Sequence, residues 1–301
     1  MKRWISIAVL CLFVMPALFA GVSDDIAQAD AMYDDEQYIE GFEFLDNLLP
    51  SIDGDGDKAE VYWRLSRFKL FITDDEEREG TPNAELLKMF VEGREFAEKA
   101  IELKPSADAY YWKSSNVGRW GETKGILDSL FKADPMKKDL YKVIEYDKNY
   151  ADAWYVFGRL HMLLPGWPLS FGNSIFAVSF TRRAIDVYDG DDLKFSYYKS
   201  LAENLRKRNW KAKDRKNKIK GETKNFNKKT KEFEKMQYFE GSLGYDYSPV
   251  YTDKELQDMS DHEESVIILN WLINEYDAMV SPSQGDTNTI EEIEELLAEW
   301  T

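Results

Sequence analysis

Residues 147–188 read DKNYADAWYVFGRLHMLLPGWPLSFGNSIFAVSFTRRAIDVY, and this stretch decides the fold of the chain. Its apolar residues recur at intervals of three and four, which is the spacing of one helix face. We predict a first helix from about residue 150 to 163 and a second from about residue 173 to 188. The segment LLPGWPLSFGN between them forms an enlarged turn. The stretch therefore predicts a helical hairpin.

Small residues in this stretch predict that its two helices pack closely. Gly158 on the first helix, with Ala177 and Ala184 on the second, lets the two backbones approach, while Trp154 and Phe180 fill the sides of the contact. A Trp, an apolar residue followed by Gly, and then Ala, an aromatic and Ala form the signature of the tetratricopeptide repeat (TPR). Repeats of this kind stack and bind partners, and they do not catalyse by themselves.

Comparable helix pairs precede this hairpin along the chain. Two begin near residues 59 and 107, and a shorter pair is predicted over 25–49. The starts at 59, 107 and 151 lie 48 and 44 residues apart, whereas a regular TPR array repeats every 34. The fold class is therefore predicted to be all-α, an irregular TPR-like helical-hairpin solenoid of about four hairpins.

Less regular elements fill the remaining chain. We predict a polar connection at 73–83 and a short helix at 126–132. Three further helices are predicted over 195–210, 261–280 and 290–300.

The chain divides into three predicted regions. Residues 1–23 are interpreted as a signal peptide, because Lys2 and Arg3 precede an apolar run over 5–20. An uncleaved membrane anchor is the alternative. Residues 24–280 form the solenoid domain, with a basic insertion at 206–235, and residues 281–301 form a linker and an acidic C-terminal helix.

The predicted leader indicates export to the periplasm or cell envelope. Cys11 is the single cysteine and lies within the apolar run. Leu10 is too large for the usual lipoprotein cleavage site, so lipidation at Cys11 is not expected. Cleavage after Ser23 would remove this thiol, which suits an oxidising compartment.

Composition argues against several function classes. A formal charge of −17 would repel nucleic acid. Two histidines, His161 and His262, offer little for nucleophilic catalysis: the first lies on a packing face and the second near a predicted helix start. The alternating acids of Asp53, Asp55 and Asp57 lack the Gly and Glu of a calcium loop. We expect no enzymatic activity, cofactor or metal.

Several sequence blocks carry a family resemblance. AEVYWRLSR, AEKAIELKPSADAYYW, SDHEESVIILNWL and above all the segment ending in PGWPLSFGN resemble the TPR-containing T component of tripartite ATP-independent periplasmic (TRAP) transporters. The regulator-of-microtubule-dynamics proteins are more distantly similar. The resemblance implies a non-catalytic protein that binds the transporter's substrate-binding subunit, encloses a hydrophobic cleft and forms a homo-oligomer. The lack of a lipid-acceptor cysteine departs from the family and leaves membrane association open.

Candidate binding residues lie on the first helix of each hairpin, where a repeat lines its groove. Three stripes each have spacings of three and four residues, which places them on one helix face. They are Glu60–Trp63–Arg67, Asp108–Tyr111–Ser115 and Asp152–Tyr155–Arg159. From these stripes and two further tryptophans we select, as ligand or partner sites, Trp63, Arg67, Tyr111, Trp112, Tyr155, Arg159 and Trp167. The alternative is that these aromatic residues pack against the next repeat.

Two functions therefore compete. The first is an exported adaptor that binds the TRAP substrate-binding subunit and a small hydrophobic molecule. The second is a cell-envelope scaffold, unrelated to transport, that recruits acidic or lipid partners through the basic segment 206–235. That segment carries fourteen Lys or Arg against four Asp or Glu, and a charged linker or extended helix without a partner is its plainer interpretation.

Overall fold

The structure, a computed structural model, describes residues 21–300, and this part of the chain contains helices and no strand. The predicted leader and Cys11 lie outside the described residues, apart from the last positions of the leader. The fourteen α-helices of the described part are α1 (Val22–Asp34), α2 (Tyr38–Leu48), α3 (Asp55–Arg78), α4 (Asn83–Leu103), α5 (Ala107–Lys124), α6 (Ala133–Tyr146), α7 (Ala151–Leu163), α8 (Ser174–Val187), α9 (Phe195–Arg208), α10 (Ala212–Lys228), α11 (Glu232–Met236), α12 (Glu240–Leu243), α13 (Asp261–Asp277) and α14 (Gln284–Trp300).

Helices α7 and α8 confirm the hairpin predicted from residues 147–188. A Cβ atom added to Gly158 would lie 2.3 Å from Thr181 Oγ1 and 3.3 Å from the Ala177 carbonyl oxygen, so only glycine permits this approach. Trp154 and Phe180 are fully buried and stack with ring centroids 5.7 Å apart. Small residues at the crossing and large ones beside it therefore set the distance between the two helices.

Neighbouring helices along the chain pack on one another from α1 to α9, as expected for a stack of hairpins. The pairs α3–α4, α4–α5 and α7–α8 have the most extensive contacts. The largest apolar core follows this stack from α3 to α9 and is completed by Met236 and Phe239. The all-α, hairpin-based class is confirmed.

Two predicted connections differ from the structure. The polar residues after Thr73 continue α3 to Arg78 instead of forming a loop, because Asp74 and Glu77 pair with Arg119 of the next hairpin. The short helix predicted at 126–132 is reduced to a 3₁₀ turn over Leu130–Lys132. Glycine at 125, with φ +103°, ends α5 just before this turn.

The C-terminal third folds back onto the stack. Helix α13 packs mainly against α9, and α14 lies against both. The N-terminus of α14 reaches the opposite end of the chain, where Glu36 accepts hydrogen bonds of 3.0 Å from the backbone N–H groups of Gln284 and Gly285. Within residues 21–300, no helix combines the length and apolar composition needed to cross a membrane.

Candidate binding face

The first helices of the hairpins, α3, α5, α7 and α9, share one face of the stack, which we call the inner face. Contacts join α3 to α5 and α7 to α9, and α1 adds to the α3 side. The three predicted stripes lie on these helices. Each stripe begins with an acid: Glu60, Asp108 or Asp152. Burial raises the pKa of Asp108 and of Asp152, and the charge of Glu60 adds to the rise at Asp108 as the charge of Asp108 does at Asp152.

Trp63 and Arg67 are buried at the α1 end of the inner face. Trp63 Nε1 donates a 2.8 Å hydrogen bond to Glu60, and Arg67 forms a 2.6 Å ion pair with Asp30 of α1. Burial alone would raise the pKa of Asp30, but Arg67 and Arg64 lower it below its usual range. The Arg67–Asp30 pair holds α1 against α3, and the Trp63–Glu60 bond fixes the indole within α3. The packing alternative therefore describes Trp63 and Arg67 well.

Tyr111 and Trp112 are also buried, at the centre of the stack. Tyr111 lies 5.1 Å from the ring of Tyr150, and Trp112 meets Phe71 edge to face at 6.1 Å. The Tyr150 hydroxyl donates a 2.9 Å hydrogen bond to Asp108. These rings mainly join α5 to its neighbours.

Tyr155 is partly exposed on the inner face of α7. Its ring stacks on Tyr197 of α9, with centroids 5.0 Å apart and planes 22° apart. The Tyr197 hydroxyl donates a 2.5 Å hydrogen bond to Asp152. Burial raises the pKa of the Asp152 carboxyl, and this hydrogen bond opposes the rise.

Arg159 is partly exposed one turn beyond Tyr155 and belongs to a chain of ion pairs. Its Nη2 lies 2.9 Å from Glu122 Oε1, and Glu122 Oε2 lies 2.8 Å from Arg119 Nη1. Arg119 in turn lies 2.8 Å from Asp74 of α3. Three hairpins are thus connected across the inner face by alternating charges.

Trp167 is separated from the other six candidates. It lies in the enlarged turn between α7 and α8 and is 89% exposed. The turn closes tightly, because the Gly172 N–H donates to the Pro165 carbonyl at 3.0 Å and a Cβ on Gly172 would meet Leu164 O. Asn173 then caps α8 by accepting from the N–H groups of Ile175 and Phe176.

His161 has the structural role predicted for it. Its ring is buried against Phe171, Phe176 and Phe180, with the nearest centroid 5.3 Å away. Burial, reinforced by the charge of Lys137, lowers its pKa from 6.5 to about 4. His262 lies at the start of α13, as predicted, and there Ser260 caps the helix by accepting a 3.0 Å hydrogen bond from the Glu263 N–H.

A buried charge network was missed by the sequence reasoning. It joins five helices and balances three cations with three anions, all nearly inaccessible to solvent. Its charged members are Arg182, Arg208, Arg215, Glu240, Asp261 and Glu264.

This network incorporates part of the basic segment. Arg208 Nε lies 2.8 Å from Asp261, and Arg215 pairs with Glu264. Burial alone would raise the pKa of Glu264, but Arg182 and Arg215 lower it to about 2. The only available signal was the use of Arg rather than Lys at 208 and 215, since a planar guanidinium suits buried multiple pairing.

Comparison with known proteins gives one family match. The family model described as Regulator of microtubule dynamics protein 1-3 matches residues 25–165, which is helices α1 to α7 and just under half of the chain. The chain is thus similar to these proteins over the first hairpins, which include α3, α5 and α7 of the inner face but not α9. No curated protein matches the chain.

Proposed function

We propose that this chain is a non-catalytic binding protein that holds a segment of a partner protein against its inner face. The observation that carries the proposal is the arrangement around Tyr155. The partly exposed Tyr155 stacks on the buried Tyr197, and the pair lies beside Arg159 and beside two carboxylates, Asp108 and Asp152, that are bound by tyrosine hydroxyls. Tyrosine and arginine are the residues that dominate binding energy at protein interfaces.

The charge of the inner face indicates the kind of segment that it receives. Asp108 and Asp152 have no Lys or Arg nitrogen at ion-pair distance among residues 21–300, whereas Arg159 and Arg119 already share Glu122. A cationic side chain placed between the two carboxylates would gain the pairing that they lack. Partner segments with a Lys or Arg beside an apolar residue fit this face best.

A more specific form of the proposal names the partner. The resemblance of residues 25–280 to the TRAP T component makes the periplasmic substrate-binding subunit of such a transporter the first partner to test. The export leader predicted over 1–23 would place the chain in the same compartment. The family match to the regulator-of-microtubule-dynamics proteins supports a helical-repeat protein and leaves this partner as a proposal.

A small hydrophobic ligand is a lesser part of the proposal. A cleft between α8, α9 and the 239–251 segment has a volume of about 80 Å³. Sites for drug-sized ligands span roughly 300–1,000 Å³, so this cleft is too small for one as it stands. Native mass spectrometry of the purified chain tests for a co-purifying molecule and, at the same time, for a homo-oligomer.

The partner proposal is tested with a substrate-binding subunit encoded beside this chain. Tyr155→Ala and Arg159→Ala should each weaken binding, measured by calorimetry, by about 30-fold or more, the effect of a hot spot worth about 2 kcal/mol. Tyr146→Ala, on the exposed end of α6, is the matched control. Unchanged affinity in folded Tyr155→Ala and Arg159→Ala proteins would remove the inner face from the proposal.

A further inference from the structure

One end of the stack exposes a group of large apolar side chains. Leu127 and Phe131 follow α5, and Trp167 and Leu169 follow α7. They are 72%, 66%, 89% and 71% exposed, and they make up four of the nine large apolar side chains that are exposed in residues 21–300. Because α5 and α7 are both first helices of stacked hairpins, their C-terminal ends point the same way. We call this group the apolar end.

A contact ties the two halves of the apolar end together. Lys137 of α6 places its Nζ 3.9 Å from the ring centroid of Phe171, which belongs to the same turn as Trp167 and Leu169. The start of α6, which follows Phe131, therefore lies directly beside the α7–α8 turn. The four exposed side chains consequently belong to one surface.

Lysines flank this surface on both sides. On the α6 side, Lys132 lies 5.3 Å from the Phe131 ring, and Lys138 is exposed. On the other side, Lys207 of α9 donates to the carbonyl oxygen of Met162, at the end of α7. The exposed Lys211 and Lys213 follow within the basic segment.

The local charge at the apolar end opposes that of the whole chain. On the α6 side, Asp134 is already paired with Lys137 at 3.0 Å, and the exposed Asp128 between Leu127 and Phe131 balances only one of the two lysines Lys132 and Lys138. The chain as a whole carries −17 and would be repelled by an anionic surface in other orientations. Charge thus selects a single orientation in which the apolar end faces such a surface.

We propose that the apolar end is a docking site for an anionic phospholipid bilayer. An exposed Trp beside Leu and Phe, with lysines around them, is the arrangement that inserts at the headgroup level while the lysines meet lipid phosphates. The contact is peripheral and uses two turns rather than a spanning helix. Trp167 and part of the basic segment, neither of which belongs to the inner face, thereby acquire a role.

Lipid vesicles provide the direct test, using the full chain so that residues 1–20 are the same in every protein compared. Vesicles of phosphatidylglycerol and phosphatidylcholine should bind the chain more tightly than phosphatidylcholine alone. Raising the salt from about 0.1 M to about 1 M, which shortens the Debye length from about 10 to about 3 Å, should remove most of that difference. Trp167→Ser/Leu169→Ser should reduce binding to the anionic vesicles by about tenfold or more.

Two matched controls distinguish binding through the apolar end from nonspecific binding by exposed apolar or basic residues elsewhere. Val250→Ser/Val280→Ser removes apolar side chains that are 75% and 99% exposed elsewhere, and it should bind like the unmodified chain. Lys207→Glu/Lys211→Glu should abolish the preference for anionic vesicles, whereas Lys104→Glu/Lys148→Glu, at exposed sites away from the apolar end, should retain it.

The position of Trp167 in the bound state gives an independent readout. Lipids brominated near the headgroup should quench part of the tryptophan fluorescence of the unmodified chain and of Trp271→Phe, and that part should be missing in Trp167→Phe. The proposal is overturned if quenching is equal in all three proteins, or if Trp167→Ser/Leu169→Ser binds anionic vesicles as well as the unmodified chain does.

Discussion

The hydroxyl of Tyr197 on α9 donates a 2.5 Å hydrogen bond to Asp152 Oδ1 on α7. Tyr197 is buried, and Asp152 lies in the first turn of its helix, where a carboxylate also interacts favourably with the helix dipole. The bond therefore joins two successive first helices at the point where Tyr155 stacks on Tyr197. One interaction both holds the inner face together and keeps its central carboxylate hydrogen-bonded.

Removing this hydroxyl tests its contribution. Tyr197→Phe should lower the free energy of unfolding by about 1–3 kcal/mol, because the half-buried carboxylate of Asp152 loses its donor. The substitution should also raise the pKa of Asp152 further, so that the loss is greater at neutral than at acid pH. Urea unfolding measures both effects, with Tyr146→Phe, on an exposed ring, as the control. Equal stability of the two variants would contradict this account.

The buried charge network should be sensitive to the loss of any single member. Glu240→Gln leaves Arg182 and Arg208 without one of their buried anionic partners, and we expect a loss of about 3–5 kcal/mol in unfolding free energy. Asp186→Asn breaks an ion pair with Arg183 in which Asp186 is exposed, and should change stability by less than about 1 kcal/mol. A Glu240→Gln protein as stable as the Asp186→Asn protein would show that the network is dispensable.

Acid should destabilise the fold partly through His161. Its pKa is about 4 in the folded chain against 6.5 in the unfolded chain, so the unfolded state binds more protons between these values. The full contribution of the neutral ring is present above pH 6.5 and is lost as the pH falls towards 4. From pH 7 to pH 5 the loss attributable to His161 should be about 2 kcal/mol.

Substitution isolates this contribution from that of the carboxylates. His161→Phe should flatten the fall in unfolding free energy between pH 7 and pH 5, and His262→Gln should leave most of it. Parallel pH profiles for the unmodified chain and His161→Phe would be inconsistent with a neutral buried histidine.

Glycine substitutions should separate close packing from helix propensity. Gly158→Ala places a methyl group against Thr181 and the α8 backbone, so we expect a loss of about 1–3 kcal/mol from overpacking. Gly221→Ala on α10 meets no atom within 4 Å and should stabilise that helix by up to about 1 kcal/mol. Thermal melts of the two variants should therefore shift in opposite directions, and a shift in the same direction would refute the distinction.

The hairpins could be predicted because the residues that pack the two helices of a hairpin together lie close to one another in the sequence. Gly158, Ala177 and Ala184 lie within one stretch of sequence, and helices α7 and α8 follow the predicted bounds within a residue or two. The extension of α3 could not be predicted in this way. The acids at 74 and 77 are paired with Arg119, an arginine more than 40 residues away that only the fold brings near.

The candidate site was harder to predict than the fold, for a physical reason. On a first helix, the face that lines the groove is next to the face that packs on the following hairpin. A set of residues spaced three or four apart can lie on either of these two faces. Trp63 and Tyr111 turn inwards, whereas Tyr155 and Arg159 keep part of their surface exposed. Spacing alone gives the three stripes the same pattern and does not distinguish these four residues.

The bond between Glu36 and the first turn of α14 bears on how the chain is made. Its two partners are separated by 248 residues, so it forms only after synthesis has reached the start of α14. Until then the hairpin of α1 and α2, which carries Glu36, lacks its hydrogen bonds to the backbone of α14. Products that terminate before residue 284 would lack this contact altogether, and we expect proteases to cleave them more readily than the full chain.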